Sequence, residues 1–498
     1  MMHKVKKIII TLLTVIMLCL GIGSMAQSAN ANSSDHYLQH IKEKGVLVVG
    51  TSPDYPPYEF NAKTSNGSKV KGADVILAHH IAKHLGVRLK VKAMSFNSLL
   101  VALETHKVDM VISGMQKTPS RAKSVDFTNE YFKTGLSFLI NDSDVKRYKS
   151  YHNLEHAKIG AQTGTTQVNQ VQAQMKQAKL KKMDSNSDLT IALKSHKIQA
   201  VAMDNAVARA YASHAPGLKS VPSGLKINKK DSYDSIAIPK GATSLVKATN
   251  QEINHLDHQH AYTSEFVPEA IKQISSHKGK SSVWSTMWSY RGFFAQGLKL
   301  TIMISIVAVI MGVILGVIFA LMRLSHNWIL HAIAVVYIEF IRGTPMLVQI
   351  MFLYFGLGSV FNLSALASGM IAGGINSGAY VAEIIRAGID SVDKGQNEAA
   401  LSLGLSKAQA MRYIVLPQAF KNIWPALGNE FITLFKDSSL VSTIGVGELM
   451  YQMKIIQADT YRGVAPIIVI MVIYFVFTFA MSRVMKYAEG KMNHDSAN

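Results

Sequence analysis

Long apolar segments in the second half of the chain constrain its fold more than any other feature. A helix needs about 20 apolar residues to cross a bilayer, and several runs approach or exceed that length: 298–322, 346–361, 363–385, 423–450 and 465–485. Helices suit such runs because they satisfy every backbone hydrogen bond within the segment. The pattern predicts an all-α membrane domain with about five transmembrane helices.

The chain begins with a segment typical of a secretory signal. Three lysines precede an apolar stretch at 8–22, and small residues follow. We therefore predict a signal peptide at 1–31 and export of the segment after it. The single cysteine, Cys19, lies within this signal, so disulfides and a cysteine nucleophile are excluded from the mature chain.

The charge of the chain favours a membrane over nucleic acid. The net charge is +20, but no basic stripe is interleaved with aromatic residues, so we predict no nucleic-acid partner. If residues 35–280 are exported, five crossings leave Lys486 and Lys491 on the inner side, as the preference for inner positive charge requires. We expect a multi-pass protein of the cell membrane with an extracellular domain and a cytoplasmic C-terminus.

Strands and helices alternate in the polar half of the chain. Short apolar runs at 45–51, 87–91 and 108–113 predict buried strands, with helices between them. The alternation recurs from 158 to 204, which predicts a second lobe. In α/β sheets of this kind, ligands bind beyond the carboxyl ends of the strands.

Polar residues follow those strand ends and are the candidates for ligand contact. An arginine grips a carboxylate with two parallel hydrogen bonds, and an aspartate attracts an ammonium, so the set suits an α-amino acid. Aromatic rings can pack against the carbon stem of such a ligand. The candidates are Asp54, Tyr55, Phe96, 113–116, Thr118, Arg121, 164–166 and Asp204.

Several of these segments resemble the polar amino-acid-binding proteins of bacterial importers. The similarity runs from about 45 to 266 and is carried by 96–104, 108–115, 118–121 and 125–127. It implies a bilobed α/β fold like that of periplasmic binding proteins, with Arg121 on the ligand carboxylate and Asp204 on its ammonium. The full predicted site is Tyr55, Phe96, Ser113, Gly114, Gln116, Arg121, Gln162, Thr165, Thr166 and Asp204.

Two positions bear on the choice of ligand. Members of this family for cationic amino acids often carry Asp where this chain has Gln116, and glutamine members often carry Lys where it has Gln162. A neutral amide ligand fits these two side chains better than a cationic one. Glutamine or asparagine is therefore predicted, while the departure at Gln162 leaves other amino acids open.

A second resemblance lies in the membrane half. Glu398-Ala399-Ala400 and Gly404, followed by 414–419, are similar to the signature loop of ABC import permeases, and the similarity extends over about 292–486. It implies that these four residues couple the permease to an ATPase. The chain has no complete phosphate loop, since Ile274 stands where the first glycine is required. ATP and Mg²⁺ are thus expected on a separate ATPase subunit, with two copies of this chain per assembly and no cofactor on the chain itself.

The predicted domains are the signal at 1–31, the amino-acid-binding domain at 35–268, a linker at 269–289 and the permease at 290–490, with an inner coupling loop at 386–421. We predict no metal site, because the histidines at 255, 258 and 260 lie on a polar helix face.

The chain is predicted to be a transporter subunit and not an enzyme. A ligand-gated channel is the main alternative, although no filter sequence is present. A sensor or cell-wall enzyme is another, which the five crossings oppose.

Overall fold

The structure is a computed structural model that describes residues 35–64, 67–148, 151–227, 232–274, 282–460 and 462–494. The predicted signal peptide at 1–31 lies outside the described residues, as does the middle of the predicted linker. The helices beside that gap, α8 (Val267–Gln273) and α9 (Val283–Ser289), occupy most of the rest of the segment predicted as linker.

The binding domain has two lobes, each built around a five-stranded sheet. In the first lobe the strand order is β5-β1-β6-β13-β7, and β1 pairs in parallel with β5 and β6. Its elements are α1 (Tyr37–Lys44), β1 (Val46–Thr51), β2 (Asp54–Tyr55), β3 (Glu59–Thr64), β4 (Gly67–Lys71), α2 (Ala73–His84), β5 (Arg88–Ala93), α3 (Phe96–Glu104), β6 (Met110–Val111), β7 (Val125–Lys133), β13 (Tyr233–Pro239) and α7 (Thr243–His258). The small sheet β2-β3-β4 is an addition that the sequence analysis did not predict.

The second lobe repeats the arrangement with the order β10-β9-β11-β8-β12. Its elements are β8 (Leu136–Asn141), β9 (Lys158–Gln162), α4 (Thr166–Gln174), β10 (Lys179–Met183), α5 (Asn186–Lys194), β11 (Ala200–Asp204), α6 (Asn205–His214) and β12 (Leu218–Pro222). The chain enters this lobe through Thr134 and Gly135 and returns through the segment before β13. The Thr134 amide donates to the Ser232 carbonyl at 2.8 Å, so the two crossing segments are hydrogen-bonded to each other.

The membrane half is helical. Its elements are α10 (Arg291–Leu324), α11 (Trp328–Arg342), α12 (Met346–Met351, continued by the wider turns Phe352–Leu357), α13 (Ala365–Asp390), α14 (Lys394–Ser402), α15 (Lys407–Ala410), α16 (Leu416–Asp437), α17 (Leu449–Thr460) and α18 (Val464–His494). The bilobed α/β domain and the helical permease-like domain confirm the predicted fold class.

Among the described residues, two helices are long and apolar enough to cross a membrane: α10 and most of α18. The pair α11 and α12 meets the same criteria if it is taken as one broken span, which bends by 104° between Arg342 and Met346. By length and composition the count is therefore two or three, below the five runs counted in the sequence. The helix α13 packs closely on α10 because both carry small residues, and a β-carbon at Gly312 would lie 2.6 Å from Ser377 Oγ.

Two boundaries in this half differ from the prediction. The run at 423–450 was predicted as one crossing, but α16 ends at Asp437 and a 3-10 helix (Ser438–Ile444) leads to Gly445, whose φ is 82°. This left-handed glycine turns the chain into the separate helix α17. The inner loop was predicted to start at 386, but α13 continues through Arg386 because that side chain pairs with Glu383 and Asp390 on the same helix.

Candidate functional site

The predicted ligand residues meet in the cleft between the two lobes. Most of them lie at or just beyond the end of a strand, or at the start of the next helix, as is usual in α/β sheets. Those that line one enclosed pocket are Tyr55, Phe96, Ser113, Gly114, Gln116, Gln162 and Thr165. The other three, Arg121, Thr166 and Asp204, are hydrogen-bonded to members of this group or to their immediate neighbours.

Arg121 bridges the two lobes and is 8% exposed. Its Nη1 donates to the Gln116 carbonyl at 2.6 Å in the first lobe, and its Nη2 donates to the Gly164 carbonyl at 2.8 Å in the second. The guanidinium carbon lies 5.5 Å from the centre of the Phe96 ring. Burial lowers the pKa of Arg121 to about 10, so the side chain is still charged at neutral pH.

Asp204 is buried at the end of β11, and one of its two carboxylate oxygens lacks a partner. Its Oδ1 accepts a hydrogen bond from Gln167 Nε2 at 2.7 Å, while Oδ2 has no hydrogen-bond partner. Its backbone amide donates to the Tyr55 hydroxyl at 3.2 Å. Burial raises the pKa of Asp204 to about 6. A buried carboxylate oxygen without a partner is costly, and a ligand ammonium can satisfy it.

The Ser113–Gly114 turn is held from behind by two buried carboxyl groups. Glu59 Oε1 accepts from the Ser113 hydroxyl at 2.6 Å, and Asp74 Oδ2 accepts from the Gly114 amide at 2.9 Å. Burial raises the pKa of both Glu59 and Asp74. Gly114 has a φ of 49°, and a β-carbon there would lie 3.2 Å from the Tyr55 ring. The turn therefore requires glycine.

The two glutamines that were expected to recognise an amide ligand already have protein partners. Gln116 donates to Asp234 Oδ1 at 2.6 Å and accepts from the Thr166 hydroxyl at 3.0 Å. Gln162 donates to the Asp184 carbonyl and accepts from Asn186 Nδ2 at 2.9 Å. In this conformation both side chains stabilise the cleft itself, so they provide no separate support for an amide ligand.

Asp54 lines the cleft and connects the lobes. Its Oδ2 accepts from the backbone amide of Asn186, the first residue of α5, at 2.7 Å, and its Oδ1 accepts from the Ser52 hydroxyl at 3.3 Å. Burial raises the pKa of Asp54 to about 6, and the Asn186 hydrogen bond partly opposes this rise. Asp54 was among the candidates at strand ends but not in the final predicted site.

Four residues of the cleft were missed by the sequence analysis: Ser52, Glu59, Gln167 and Asp234. Ser52 directly follows β1, and Gln167 directly follows the predicted Thr166, so position relative to the strand ends was a usable signal for both. Glu59 and Asp234 lie on β3 and β13, where no local pattern points to the cleft.

The predicted coupling residues lie on and after the short helix α14. Glu398 is the fifth residue of this helix and is exposed, so it lies beyond the first turn, where the helix dipole would favour a negative charge. Ala399 is exposed, whereas Ala400 is buried. Gly404 ends the segment with a φ of 84° and faces open space. The large side chain of Leu403 next to it is 84% exposed.

Comparison with known proteins identifies the class. Residues 312–494 match the family of binding-protein-dependent transport system inner membrane components, and residues 47–264 match the bacterial extracellular solute-binding proteins of family 3. The chain is 38% identical over 212 residues to the glutamine transport system permease protein GlnP of Escherichia coli K12. The aligned residues are 42% of this chain and 97% of GlnP.

Two further similarities are to proteins whose names mention arginine. The arginine transport system permease protein ArtQ of Bacillus subtilis is 41% identical over 202 residues, which are 40% of this chain and 92% of ArtQ. An amino acid ABC transporter substrate-binding protein from Streptococcus pneumoniae, bound to L-arginine, is 35% identical with a TM-score of 0.46, covering 47% of this chain and 98% of that chain.

This chain belongs to the family of binding-protein-dependent transport system inner membrane components. It joins an amino-acid-binding domain of the solute-binding type to an ABC permease domain, as the sequence analysis predicted. The assignment of individual ligand and coupling residues remains a prediction.

Proposed function

We propose that this chain is the ligand-binding and membrane-spanning subunit of an ATP-driven importer for a polar amino acid. The observation that carries the proposal is that one cleft contains both the buried guanidinium of Arg121 and an Asp204 carboxylate oxygen that has no hydrogen-bond partner. The other half of the chain belongs to the permease family. These two groups complement the carboxylate and the ammonium that all α-amino acids share. The binding domain lies outside the cell membrane and the C-terminus inside.

Glutamine or asparagine is the proposed substrate. The relative GlnP supports this choice by its printed name. A cationic amino acid such as arginine is the second candidate, because the Asp54 carboxylate lines the same pocket. A carboxylate there favours a ligand with a positive side chain and gives a neutral amide less benefit.

Calorimetry on the full chain in nanodiscs distinguishes these substrates. At pH 7.5 we expect glutamine or asparagine to bind more tightly than arginine, and Asp54→Asn to change their affinity by less than about threefold. Tighter binding of arginine, with a loss of about tenfold or more in Asp54→Asn, would replace the first candidate by the second. Binding of none of the twenty amino acids would reject the proposed function.

Ligand affinity is expected to depend on pH through Asp204. The ammonium of the ligand needs the ionised carboxylate, and the pKa of Asp204 is raised to about 6. Affinity should therefore be constant above about pH 7 and fall about tenfold for each pH unit below 6, since one pKa unit corresponds to a factor of ten in an equilibrium constant. Calorimetric titrations between pH 5 and 8 measure this dependence.

The control is Asp204→Asn, which removes the titrating group. This variant should bind every α-amino acid more weakly at pH 7.5, keep their order of preference, and lose most of the pH dependence. An unchanged pH profile in Asp204→Asn would show that another group titrates. A changed order of preference would place Asp204 at the ligand side chain instead of its ammonium.

ATP hydrolysis is proposed to take place on a separate cytoplasmic ABC ATPase subunit that carries ATP and Mg²⁺, with two copies of this chain forming the permease. An exposed apolar surface around the signature loop supports a protein partner there, because exposed apolar patches mark interaction sites. Its members are Leu401, Leu403, Met411, Tyr413 and Leu416.

Uptake of labelled glutamine by proteoliposomes should require both the ATPase subunit and ATP, whereas ATP-independent flux would favour a ligand-gated channel.

A further inference from the structure

Lys107 in the first lobe of the binding domain reaches into the permease domain. It lies between α3 and β6, and only 7% of the residue is exposed. Its Nζ donates to the Gly358 carbonyl and to the Leu363 carbonyl, the latter at 3.1 Å. The ammonium also lies 5.2 Å from the centre of the Tyr354 ring. All three permease residues belong to the end of α12 or to the segment that joins it to α13.

The chemistry of this contact favours a cation. Gly358 lies at the end of the helical segment that continues α12, where the helix dipole is negative. Its carbonyl accepts a hydrogen bond from the Leu363 amide at 3.1 Å, and a carbonyl oxygen has a second lone pair for another donor. An ammonium with several donors satisfies such carbonyls, whereas an uncharged side chain of similar length does not. Among the described residues Lys107 forms no ion pair, so its buried charge depends on these carbonyl contacts.

Apolar packing continues from the first lobe into the permease around Lys107. Leu99 and Val108 of the first lobe belong to the same buried cluster as Leu353 and Ile444 of the permease. The surfaces also approach closely at Gly445, where a β-carbon would lie 2.4 Å from the carbonyl oxygen of Ala93. Side-chain size at this position therefore controls how near the first lobe can come.

The second lobe contacts the permease at a different point. Gly463, between α17 and α18, faces α5, and a β-carbon on it would lie 2.3 Å from Ile191 Cγ1. The two lobes are closed on each other, as the contacts from Arg121 to Gly164 and from Asn186 to Asp54 show. Both contacts with the permease are made together in this closed arrangement, and a rotation of one lobe away from the other would separate at least one of them.

We propose that Lys107 is the latch that docks the binding domain on its own permease, and that the fit of Ile191 against Gly463 restricts docking to the closed form. The inference rests on the proposed function, since docking of the closed form is useful only if the ligand passes to the permease. Lys107 is a positioning residue and has no contact with the ligand cleft. Ligand affinity should therefore be insensitive to it.

Distance measurements on the full chain in nanodiscs test the latch without depending on transport. Spin labels at Lys90→Cys and Val360→Cys, with Cys19→Ser, report the separation of the first lobe from the permease. The measurement is made with 1 mM glutamine, or with arginine if calorimetry favours it. The distribution of distances between the two labels should be narrow in the labelled chain with Lys107 (the parent) and broad or shifted in Lys107→Met. Lys107→Arg should restore the narrow distribution, and Lys83→Met, which changes an exposed lysine of the same lobe, should have no effect.

Two further readouts separate a docking role from a purely structural one. Affinity of Lys107→Met should stay within about twofold of the parent, while uptake in the reconstituted system falls about tenfold or more. A narrow, unshifted distribution in Lys107→Met would overturn the latch even if transport were confirmed. A parent chain that docks but does not transport would count against the proposed function and leave the latch intact.

A compensating pair tests the second contact. Gly463→Ala should broaden the distance distribution, because its β-carbon meets Ile191. Combining it with Ile191→Ala removes the two nearest opposing atoms, Cγ1 and Cγ2, and should restore docking. Failure of the double variant to recover would show that the second lobe is not restricted at this point.

Discussion

Replacing Arg121 by alanine is expected to abolish ligand binding while the binding domain stays folded. Truncating one partner of a buried, hydrogen-bonded charge pair costs about 3–5 kcal/mol, which corresponds to a loss of affinity of roughly 100-fold to 1,000-fold or more. The same change removes the hydrogen bonds to Gln116 and Gly164, so it also weakens closure of the two lobes. Calorimetry measures the affinity, and circular dichroism during heating measures the folding.

Arg121→Lys is the matched variant. It keeps the charge but loses the planar fork that binds a carboxylate with two bonds, so it should retain part of the affinity. If Arg121→Ala folds and binds within about threefold of the parent, the ligand carboxylate is held elsewhere. If both variants unfold, the ligand affinities of the variants and the parent are compared again at low temperature, where the variants are more stable. Binding is then measured as the ligand-induced shift in the melting temperature.

The second large effect is expected at the signature loop. Gly404→Trp should leave ligand affinity unchanged and reduce ligand-stimulated ATPase activity and uptake about tenfold or more, because its side chain would project from the surface proposed to meet the ATPase. The left-handed backbone at Gly404 adds strain of about 1–2 kcal/mol for most residues. Gly404→Asn separates the two causes, since asparagine tolerates this conformation and is smaller.

Gly490→Trp is the control for added bulk at an exposed glycine, because Gly490 lies on the C-terminal helix and also faces open space. Glu398→Lys gives an independent test by reversing a charge on the exposed face of α14. The expected cause is electrostatic mismatch with the partner, since Glu398 is too far from the helix start for a dipole effect. Wild-type ATPase activity and uptake in both loop variants would exclude this loop as the coupling element.

The predicted ligand residues that the structure brings together in the cleft are mainly those that follow strand ends, and their role in binding stays a prediction. Ser113, Gly114 and Thr165 follow buried strands, and parallel strands bring their carboxyl ends to one edge. Asp234 and Glu59 were not predicted because they lie within strands, and only their packing turns them toward the cleft. The protein partners of the Gln116 and Gln162 amides are likewise set by tertiary packing, so the sequence alone does not reveal that both side chains are already hydrogen-bonded.

In the membrane half, too, some elements were predicted from local sequence patterns and others were not. Run length and hydropathy identified α10 and α18, because each is a property of a short stretch of chain. The end of α16 at Asp437 and the turn at Gly445 were not predicted, although polar residues at 436–439 and the glycine itself mark both points in the sequence. The close fit of Gly445 against the first lobe explains why glycine occupies this turn, since a β-carbon there would lie 2.4 Å from the Ala93 carbonyl oxygen.

The sequence by itself determined the division into a bilobed binding domain and a helical permease domain, and most of the residues that could hold an amino acid. These features depend on periodicity, on run length and on turn residues, which act over about 20 neighbouring residues. Only the tertiary structure decided which carboxylates share the cleft, how the lobes close, and that Lys107 meets carbonyls more than 250 positions further along the chain. Such contacts depend on burial and on complementary shape between distant segments, which no local pattern records.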